Sequence, residues 1–185
     1  MTDRRIMSLR PVVIFGSGGM AKEVIGYLEL DPFDYQIAYV VSTKPFNNPA
    51  FGYEVRPEVD PRDDVDYILA VADPSVKRVI VSEQSAKRTG KWITYIHSTA
   101  WIAPHATIGR GCVIAPHAIV YGDPVVEEFC FLSINAAVGH DSRLGAYSTL
   151  FPSVQVCGNC RMGEGCLLGI GAYVLPGVTL PAGTK

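Results

Sequence analysis

Four histidines are the side chains best suited to move protons near neutral pH, and they stand at positions 97, 105, 117 and 140. Zinc hydration chemistry would need a close histidine pair, whereas these neighbours are 8, 12 and 23 positions apart. Only His140 is followed directly by a carboxylate, Asp141, which could orient or polarise its imidazole. His140 is therefore the candidate general base, and we predict no metal site.

The five cysteines, at positions 112, 130, 157, 160 and 166, all lie in the second half of the chain. Cys157 and Cys160 have the spacing of a zinc knuckle or a redox pair, but no second pair completes a four-ligand set. Nothing in the sequence suggests secretion, so we expect reduced thiols.

A glycine-rich segment, Gly16-Ser17-Gly18-Gly19-Met20, follows the apolar run Val12–Phe15 and leads into a predicted helix. With Ala21 it fits G-x-G-x-x-A, in which backbone N–H groups and a helix N-terminus hold phosphate. A dinucleotide site would also need an acid at the end of the second strand, which instead ends Val40-Val-Ser-Thr-Lys44. We therefore expect a phosphorylated nucleotide other than NAD; a glycine-rich turn used only for packing is the alternative.

Residues 96–185 repeat with a period of six. Each hexad begins with an aliphatic residue or Met and carries a small or compact residue four positions later. The first series is Ile96, Ile102, Ile108, Ile114, Val120, Val126, Leu132, Val138, Leu144, Leu150, Val156, Met162, Leu168, Val174 and Leu180. One short strand and one tight corner per hexad, with three sides per coil, predict five coils of eighteen residues stacked around an aliphatic axis. A coiled coil or a transmembrane helix would need a different period.

The coil length places residues eighteen apart directly above one another. His140 then lies between Gly122 and Gly158, so neither neighbouring coil offers a side chain to cover it. This leaves room for a ligand and makes the Gly158 N–H approachable. We expect the other three histidines to be solvated corner residues.

Strands and helices alternate before residue 96. We predict strands at 11–16, 35–41, 65–72 and 92–96, helices at 21–28 and 74–87, and a loop-rich link at 42–64. Such alternation favours a parallel sheet whose ligand edge lies at the carboxyl ends of its strands. The predicted fold is an α/β Rossmann-like domain at residues 1–95, followed by an all-β domain at residues 96–185.

Composition narrows the class of protein. The 185 residues are 48% apolar, and the net charge is −2 without a long run of either sign. This argues against a nucleic-acid partner or a polybasic membrane anchor. The apolar run Val12–Phe15 that follows the basic first ten residues is too short for a signal-peptide core. We expect a cytoplasmic, soluble protein.

These features together resemble the nucleotide-sugar acetyltransferases of the hexapeptide-repeat acyltransferases. The features that carry the resemblance are the opening Val12-Val-Ile-Phe-Gly-Ser-Gly-Gly19 and the hexads that contain Val138-Gly-His-Asp141. The family includes N-acetyltransferases of 4-amino-sugars linked to a nucleoside diphosphate and relatives named as sialic acid O-acetyltransferases. The resemblance implies a left-handed parallel β-helix, acetyl-CoA as co-substrate, a role in surface-glycan synthesis such as that of lipopolysaccharide, and a homotrimer with active sites between subunits.

The resemblance also implies residue roles. His140 would be the general base, Asp141 its acidic neighbour, and Gly158 the residue whose N–H contacts the acyl carbonyl. Residues Gly16, Ser17, Gly18, Gly19 and Met20 would bind the nucleotide sugar. Transfer would be direct, because four cysteines occupy small inward hexad positions and only Cys157 is left as a weak alternative nucleophile.

Three departures from the family pattern stand out. Met20 and Thr149 stand where many relatives carry histidine, and the chain stops at Lys185 on a complete hexad without the usual further coils. We therefore expect a β-helix truncated at its C-terminal end, which puts CoA binding in question. The rivals to N-acetylation are sugar O-acetylation, a non-catalytic nucleotide-sugar-binding trimer and, in a third class, an NAD-dependent oxidoreductase.

Overall fold

The computed structural model describes residues 9–31, 35–43, 50–87 and 90–185. Lys44, at the predicted end of the second strand, and the basic segment before Leu9 lie outside the described residues. The chain forms a small parallel α/β unit followed by a three-sided prism of stacked strands. None of the helices within the described ranges is both long and apolar enough to cross a membrane.

The α/β unit is built on four parallel strands in the order β3-β2-β1-β4. Its elements are β1 (Arg10–Phe15), α1 (Gly19–Leu30), β2 (Tyr35–Val41), a 3₁₀ turn (Ala50–Gly52), β3 (Val55–Arg56), β4 (Asp66–Leu69) and α2 (Pro74–Lys87). Helix α1 buries Ala21, Val24, Ile25 and Leu28, which recur at helical spacing on one face. The carboxyl ends of β1 and β4 lie together, with Phe15 paired to Leu69.

The prism has three faces, each a five-stranded parallel sheet. The first face holds β5 (Tyr95–Ile96), β8 (Val113–Ile114), β11 (Phe131–Leu132), β14 (Thr149–Leu150) and β17 (Leu167–Leu168). The second face holds β6 (Trp101–Ile102), β9 (Ile119–Val120), β12 (Ala137–Val138), β15 (Gln155–Val156) and β18 (Tyr173–Val174). The third face holds β7 (Thr107–Ile108), β10 (Val125–Val126), β13 (Arg143–Leu144), β16 (Arg161–Met162) and β19 (Thr179–Leu180).

The aliphatic series predicted from the hexads fills the axis of the prism. Each strand ends on one of these residues, and the central ones, such as Val120, Leu132, Leu144 and Leu150, are fully buried. The cysteines and alanines at the small position join the same core. The period-six prediction is confirmed, and the structure is consistent with the left-handed β-helix that the resemblance implies.

The prediction of a Rossmann-like N-terminal domain is wrong. A Rossmann domain needs two βαβαβ halves with helices on both faces of a longer sheet. The described N-terminal residues supply four strands, one of only two residues, and two helices. The unit also shares its core with the prism, because its buried clusters include Val113, Phe129 and Phe131.

The predicted strand at residues 92–96 is divided between the two parts of the molecule. Trp92 makes only an isolated bridge to Tyr67. The Tyr95 N–H instead donates to the Cys112 carbonyl at 2.9 Å, so Tyr95–Ile96 becomes the first strand of the prism. The link predicted to be loop-rich contains β3, which pairs with the end of β2.

The three faces of the prism have different surroundings. The α/β unit covers the first face, where Tyr95, Val113, Phe131 and Thr149 are buried. The second face carries exposed apolar side chains, and the third carries exposed arginines and threonines.

Helix α2 is fastened to the covered face by Lys77, which is 1% exposed. Its ammonium group donates to the carbonyls of Phe129, Tyr147 and Ser148 and to the Thr149 hydroxyl, the last at 2.7 Å. The Thr149 hydroxyl donates in turn to the Ala72 carbonyl at 2.8 Å. These contacts hold the carboxyl end of the small sheet against the prism.

Candidate active site

His140 lies at the corner between the second and third faces, just after β12. Its Nδ1 is 2.8 Å from Oδ2 of Asp141. Both side chains are about half exposed, at 53% and 55%. An ionised carboxylate can only accept hydrogen bonds, so this contact places a proton on Nδ1, and in the neutral imidazole Nε2 then carries the free lone pair.

Asp141 is held in an unusual backbone conformation. Its φ is 57°, the left-handed region that non-glycine residues seldom occupy. Its N–H donates to Oδ1 of Asp123 in the coil below at 2.9 Å, and its carbonyl accepts a hydrogen bond from Arg161 in the coil above. The conformation recurs at prism corners, including those at Asn135 and Asn159, so the repeat itself imposes it.

Glycines bracket the histidine, as the eighteen-residue spacing predicts. A Cβ on Gly158 would lie 2.4 Å from Nε2 of His140, and a Cβ on Gly122 would lie 2.6 Å from the His140 Cβ. Any larger residue at 158 would collide with the ring nitrogen that carries the lone pair. The imidazole therefore occupies space that only glycine leaves open.

The amide of Gly158 is free to donate. Within the described residues, no acceptor takes a hydrogen bond from it. The N–H at its hexad position takes no part in the backbone hydrogen bonds between coils. At two equivalent positions of the repeat, a carboxylate accepts a hydrogen bond from the backbone N–H. Asp31 accepts from the Ser98 N–H at 3.1 Å, and Glu127 accepts from the Ala146 N–H at 2.8 Å. The backbone N–H at this hexad position can thus donate to oxygen atoms that do not belong to the backbone hydrogen bonds between coils.

A cavity of about 720 Å³ opens at the carboxyl ends of β1, β2 and β4. All five residues of the predicted loop, Gly16, Ser17, Gly18, Gly19 and Met20, line it. Gly16 has a φ of 119°, and a Cβ there would lie 2.4 Å from the Ala70 carbonyl oxygen. Gly18 and Gly19 have open space where a Cβ would stand, so a ligand can approach their backbone closely.

The cavity has a donor-rich floor and an acidic rim. Gly18 caps helix α1 without a side-chain hydrogen bond, which leaves the first N–H groups of the helix for an anion. Ser42 and Thr43 follow β2 where a dinucleotide site needs an acid, while Glu58, Asp73 and Glu83 come from other segments. The Ser75 hydroxyl, with the Val76 and Ser75 N–H groups, lowers the pKa of Asp73 below its usual value.

The remaining histidines divide into two kinds. His105 and His117 are exposed at corners, as predicted. His97 differs, because its side chain is only 13% exposed, with Nε2 3.9 Å from the buried Asp31 and Nδ1 2.9 Å from the Thr99 hydroxyl. It ties the first coil of the prism to the end of helix α1.

All five cysteines are free, and four of them are buried in the prism, with Cys157 partly exposed. Nowhere in the described ranges do three His, Cys, Asp or Glu side chains cluster in a way that could hold a metal ion.

The sequence and the fold were compared with those of known proteins. No protein-family model matches the chain. A curated GDP-perosamine N-acetyltransferase of Escherichia coli O157:H7 is 26% identical over 110 residues, which are 60% of this chain and 49% of that protein. The chain thus spans about half the length of the curated relative it matches.

Two solved structures match over nearly the whole chain. PerB from Caulobacter crescentus, in complex with CoA and GDP-perosamine, is 26% identical with a TM-score of 0.83 and covers 95% of this chain and 84% of its own. The acetyltransferase domain of PglB from Neisseria gonorrhoeae FA1090 is 25% identical with a TM-score of 0.81, over 94% and 86% of the two chains. This chain resembles the hexapeptide-repeat nucleotide-sugar N-acetyltransferases. The resemblance predicted from its sequence is confirmed.

One of the departures that the sequence analysis expected has a structural explanation. Thr149 is fully buried between Lys77 and the Ala72 carbonyl. It therefore serves the junction between the two parts of the molecule and does not face a ligand. Sequence reasoning missed Lys77, although its place between the buried Pro74 and Val81 put a charge on the buried face of helix α2.

Proposed function

We propose that this protein is an acetyl-CoA-dependent N-acetyltransferase that acts on a nucleotide-linked amino-sugar in surface-glycan synthesis. The similarity to a GDP-perosamine N-acetyltransferase and to PerB with CoA and GDP-perosamine supports this class of substrate and co-substrate. Amine transfer is favoured over hydroxyl transfer because the curated relative is named for N-acetylation. We place the reaction in the cytoplasm, because acetyl-CoA is the proposed acyl donor.

The observation that carries the proposal is the position of Nε2 of His140. Asp141 fixes the proton on Nδ1, Gly158 leaves the space beside Nε2 unfilled, and the Gly158 N–H has no partner among the described residues. A base with a free lone pair beside an unused backbone donor is the minimum machinery for acyl transfer to an amine.

The proposed reaction is a direct transfer. The acceptor amine forms a bond to the thioester carbonyl carbon while Nε2 of His140 takes its proton. The carbonyl oxygen becomes an oxyanion, which accepts a hydrogen bond from the Gly158 N–H. When the intermediate collapses, the carbon–sulfur bond breaks, and the CoA thiolate receives the proton that His140 carries. Asp141 keeps the imidazole in the required tautomer and stabilises its charged form.

The nucleotide part of the substrate belongs in the cavity lined by Gly16, Ser17, Gly18, Gly19 and Met20. The first N–H groups of helix α1 would receive a phosphate, and the open space above Gly18 and Gly19 admits it. Residues 1–95 would then supply the nucleotide site, and residues 96–185 would supply the acyl-transfer site.

We also propose a homotrimer with active sites between subunits. The second prism face exposes Trp101 at 56%, Ile119 at 41% and Tyr173 at 72% in one column of strand positions, with Ala137 and Gln155 between Ile119 and Tyr173. Such an apolar stripe is typical of an interface. His140 lies at the edge of this face, whereas the nucleotide cavity belongs to the unit on the first face, so a neighbouring copy can complete the site.

His140→Ala tests the reaction, with His105→Ala as the matched control because His105 is an exposed corner histidine of the same prism. We expect His140→Ala to lower kcat about 10²- to 10⁴-fold, with both ligands still bound, and the control to be unchanged. The assay follows CoA release with GDP-linked amino-sugars, and mass spectrometry locates the acetyl group. An O-acetyl product would replace the N-transfer proposal, and ligand binding without turnover would make the protein a binding module.

Trp101→Glu tests the assembly, with Thr179→Glu on the third face as its control. Light scattering should report a trimer for the unaltered protein and for the control, and a smaller species for Trp101→Glu. A monomer in the unaltered protein, or a trimer that survives Trp101→Glu, would contradict the proposed interface.

A further inference from the structure

Tyr121 reaches into the same space as the catalytic histidine from the coil below. It lies eighteen residues before Gly139, so the two residues stack. A Cβ on Gly139 would lie 2.8 Å from the Tyr121 hydroxyl and also 2.8 Å from the Gly158 backbone nitrogen. The phenol therefore fills the place that a side chain at 139 would take, and its hydroxyl oxygen and the Gly158 nitrogen border the same point.

The ring of Tyr121 also lies beside the imidazole. The centroids of the Tyr121 and His140 rings are 6.4 Å apart, and their planes are inclined by 63°, an edge-to-face arrangement. Nε2 of His140 lies 2.4 Å from the position of a Cβ on Gly158. The phenol hydroxyl, the free imidazole nitrogen and the unused amide of Gly158 thus border one space.

The hydroxyl of Tyr121 has no hydrogen-bond partner among the described residues, although the side chain is partly buried. Partly buried phenols usually find one. The phenol oxygen could accept a hydrogen bond from the Gly158 N–H, but no hydrogen bond joins the two groups in the structure, so both keep a proton to donate. One ligand acceptor placed between them can take a hydrogen bond from each, and in the proposed reaction the acceptor at this place is the acyl carbonyl oxygen.

We propose that Tyr121 is a further catalytic residue, whose hydroxyl donates a second hydrogen bond to the thioester carbonyl oxygen alongside the Gly158 N–H. This inference rests on the proposed acetyl transfer. The phenol keeps its proton throughout and forms no covalent bond. As the amine attacks, charge develops on the carbonyl oxygen, and both donors strengthen their bonds to it.

Tyr121→Phe removes the hydroxyl and keeps the ring beside His140. We expect kcat to fall about 10- to 100-fold with the KM for the nucleotide sugar within about twofold, because the lost bond is to the reacting carbonyl. Tyr53→Phe is the matched control, since its hydroxyl donates to Glu29 on the surface of the α/β unit. Tyr121→Leu, which also removes the ring, should lose at least as much.

A binding measurement separates this proposal from the proposed function. CoA lacks the thioester carbonyl of acetyl-CoA. Calorimetry should therefore show that the unaltered protein binds acetyl-CoA more tightly than CoA, and this difference should be smaller in Tyr121→Phe. If the unaltered protein transfers acetyl groups and Tyr121→Phe matches it in kcat and in this binding difference, Tyr121 only packs and the proposal is overturned. If the unaltered protein neither binds acetyl-CoA nor transfers acetyl groups, both proposals fall together.

Discussion

Lys77 gives the molecule a pH-dependent stability that can be worked out from its contacts. Its ammonium group is enclosed at the junction between helix α2 and the prism and donates only to uncharged oxygens. Burial lowers the pKa of Lys77 from 10.5 to about 8, opposed by smaller effects of Cys130, Cys112 and Asp73. The charged form is therefore disfavoured in the folded state.

The sign of the pH dependence follows from proton binding. Between pH 8 and 10.5 the folded protein has lost the Lys77 proton, while the unfolded chain still carries it. Because the unfolded state binds more protons there, the free energy of unfolding rises with pH through this window. Each unit of pKa difference is worth about 1.4 kcal/mol, so the rise is about 3 kcal/mol.

The measurement is urea unfolding from pH 7 to 11 at constant ionic strength, for the unaltered protein and for Lys77→Met. We expect the unfolding free energy of the unaltered protein, measured relative to that of Lys77→Met, to rise by about 3 kcal/mol across the window. Burial raises the pKa of Tyr27 and Tyr95, but those effects are common to both proteins and cancel. Met keeps most of the length of the lysine side chain without its charge.

Two thiols need a control of their own. Cys130, with its pKa raised chiefly by burial, and Cys112, with its pKa lowered chiefly by a hydrogen bond with Cys130, also interact with Lys77. The comparison is therefore repeated with both cysteines replaced by Ala, the residue that the same hexad position carries at Ala106 and Ala118. A difference that stays constant within about 0.5 kcal/mol, or that falls with pH, would refute the reasoning.

Three further predictions concern the site and its scaffold. Gly16→Ala should cost about 2–4 kcal/mol in urea unfolding because of its positive φ and a carbonyl contact, whereas Gly18→Ala should leave stability unchanged and weaken nucleotide-sugar binding in calorimetry. Leu132→Ala empties part of the prism axis and should lower the unfolding free energy by about 2–5 kcal/mol. Asp141→Asn should lower kcat only about tenfold in the CoA-release assay, because the pair is half exposed and water screens it; a loss beyond a thousandfold would contradict this.

The prism could be predicted from the sequence because its energetics repeat locally. Each hexad places one aliphatic side chain on the axis, and the next coil repeats it in register, as in the pairing of Leu132 with Ile114 and with Leu150. A shift of one residue would turn that series outward, so the periodicity determines the register. The same arithmetic correctly placed Gly158 beside His140.

The α/β unit was predicted less well, because the alternation of strands and helices in the sequence does not determine how many strands join the sheet. Residues 92–96 are apolar enough for one strand, yet the Ile93 N–H donates to Tyr67 and the Tyr95 N–H donates to Cys112 of the prism. Strand β3 has only two residues, and backbone hydrogen bonds from Val40 and Ser42 fix it at the sheet edge. Which backbone partner each of these short segments takes depends on tertiary contacts, and such contacts leave no periodic pattern in the sequence.

The position of the cavity that we propose for the nucleotide, relative to His140, is also a tertiary property. The α/β unit is held on the first face by Lys77 and by the prism residues in its core, and that places the cavity away from the corner that carries His140. That corner lies between the two faces that the unit does not cover, and one of them carries the apolar stripe of Trp101, Ile119 and Tyr173. A second copy of the chain docked on the stripe would bring residues of a neighbouring subunit close to His140. The proposed trimer and the proposed transfer therefore depend on each other, and Trp101→Glu should abolish turnover while each separated chain keeps its nucleotide cavity.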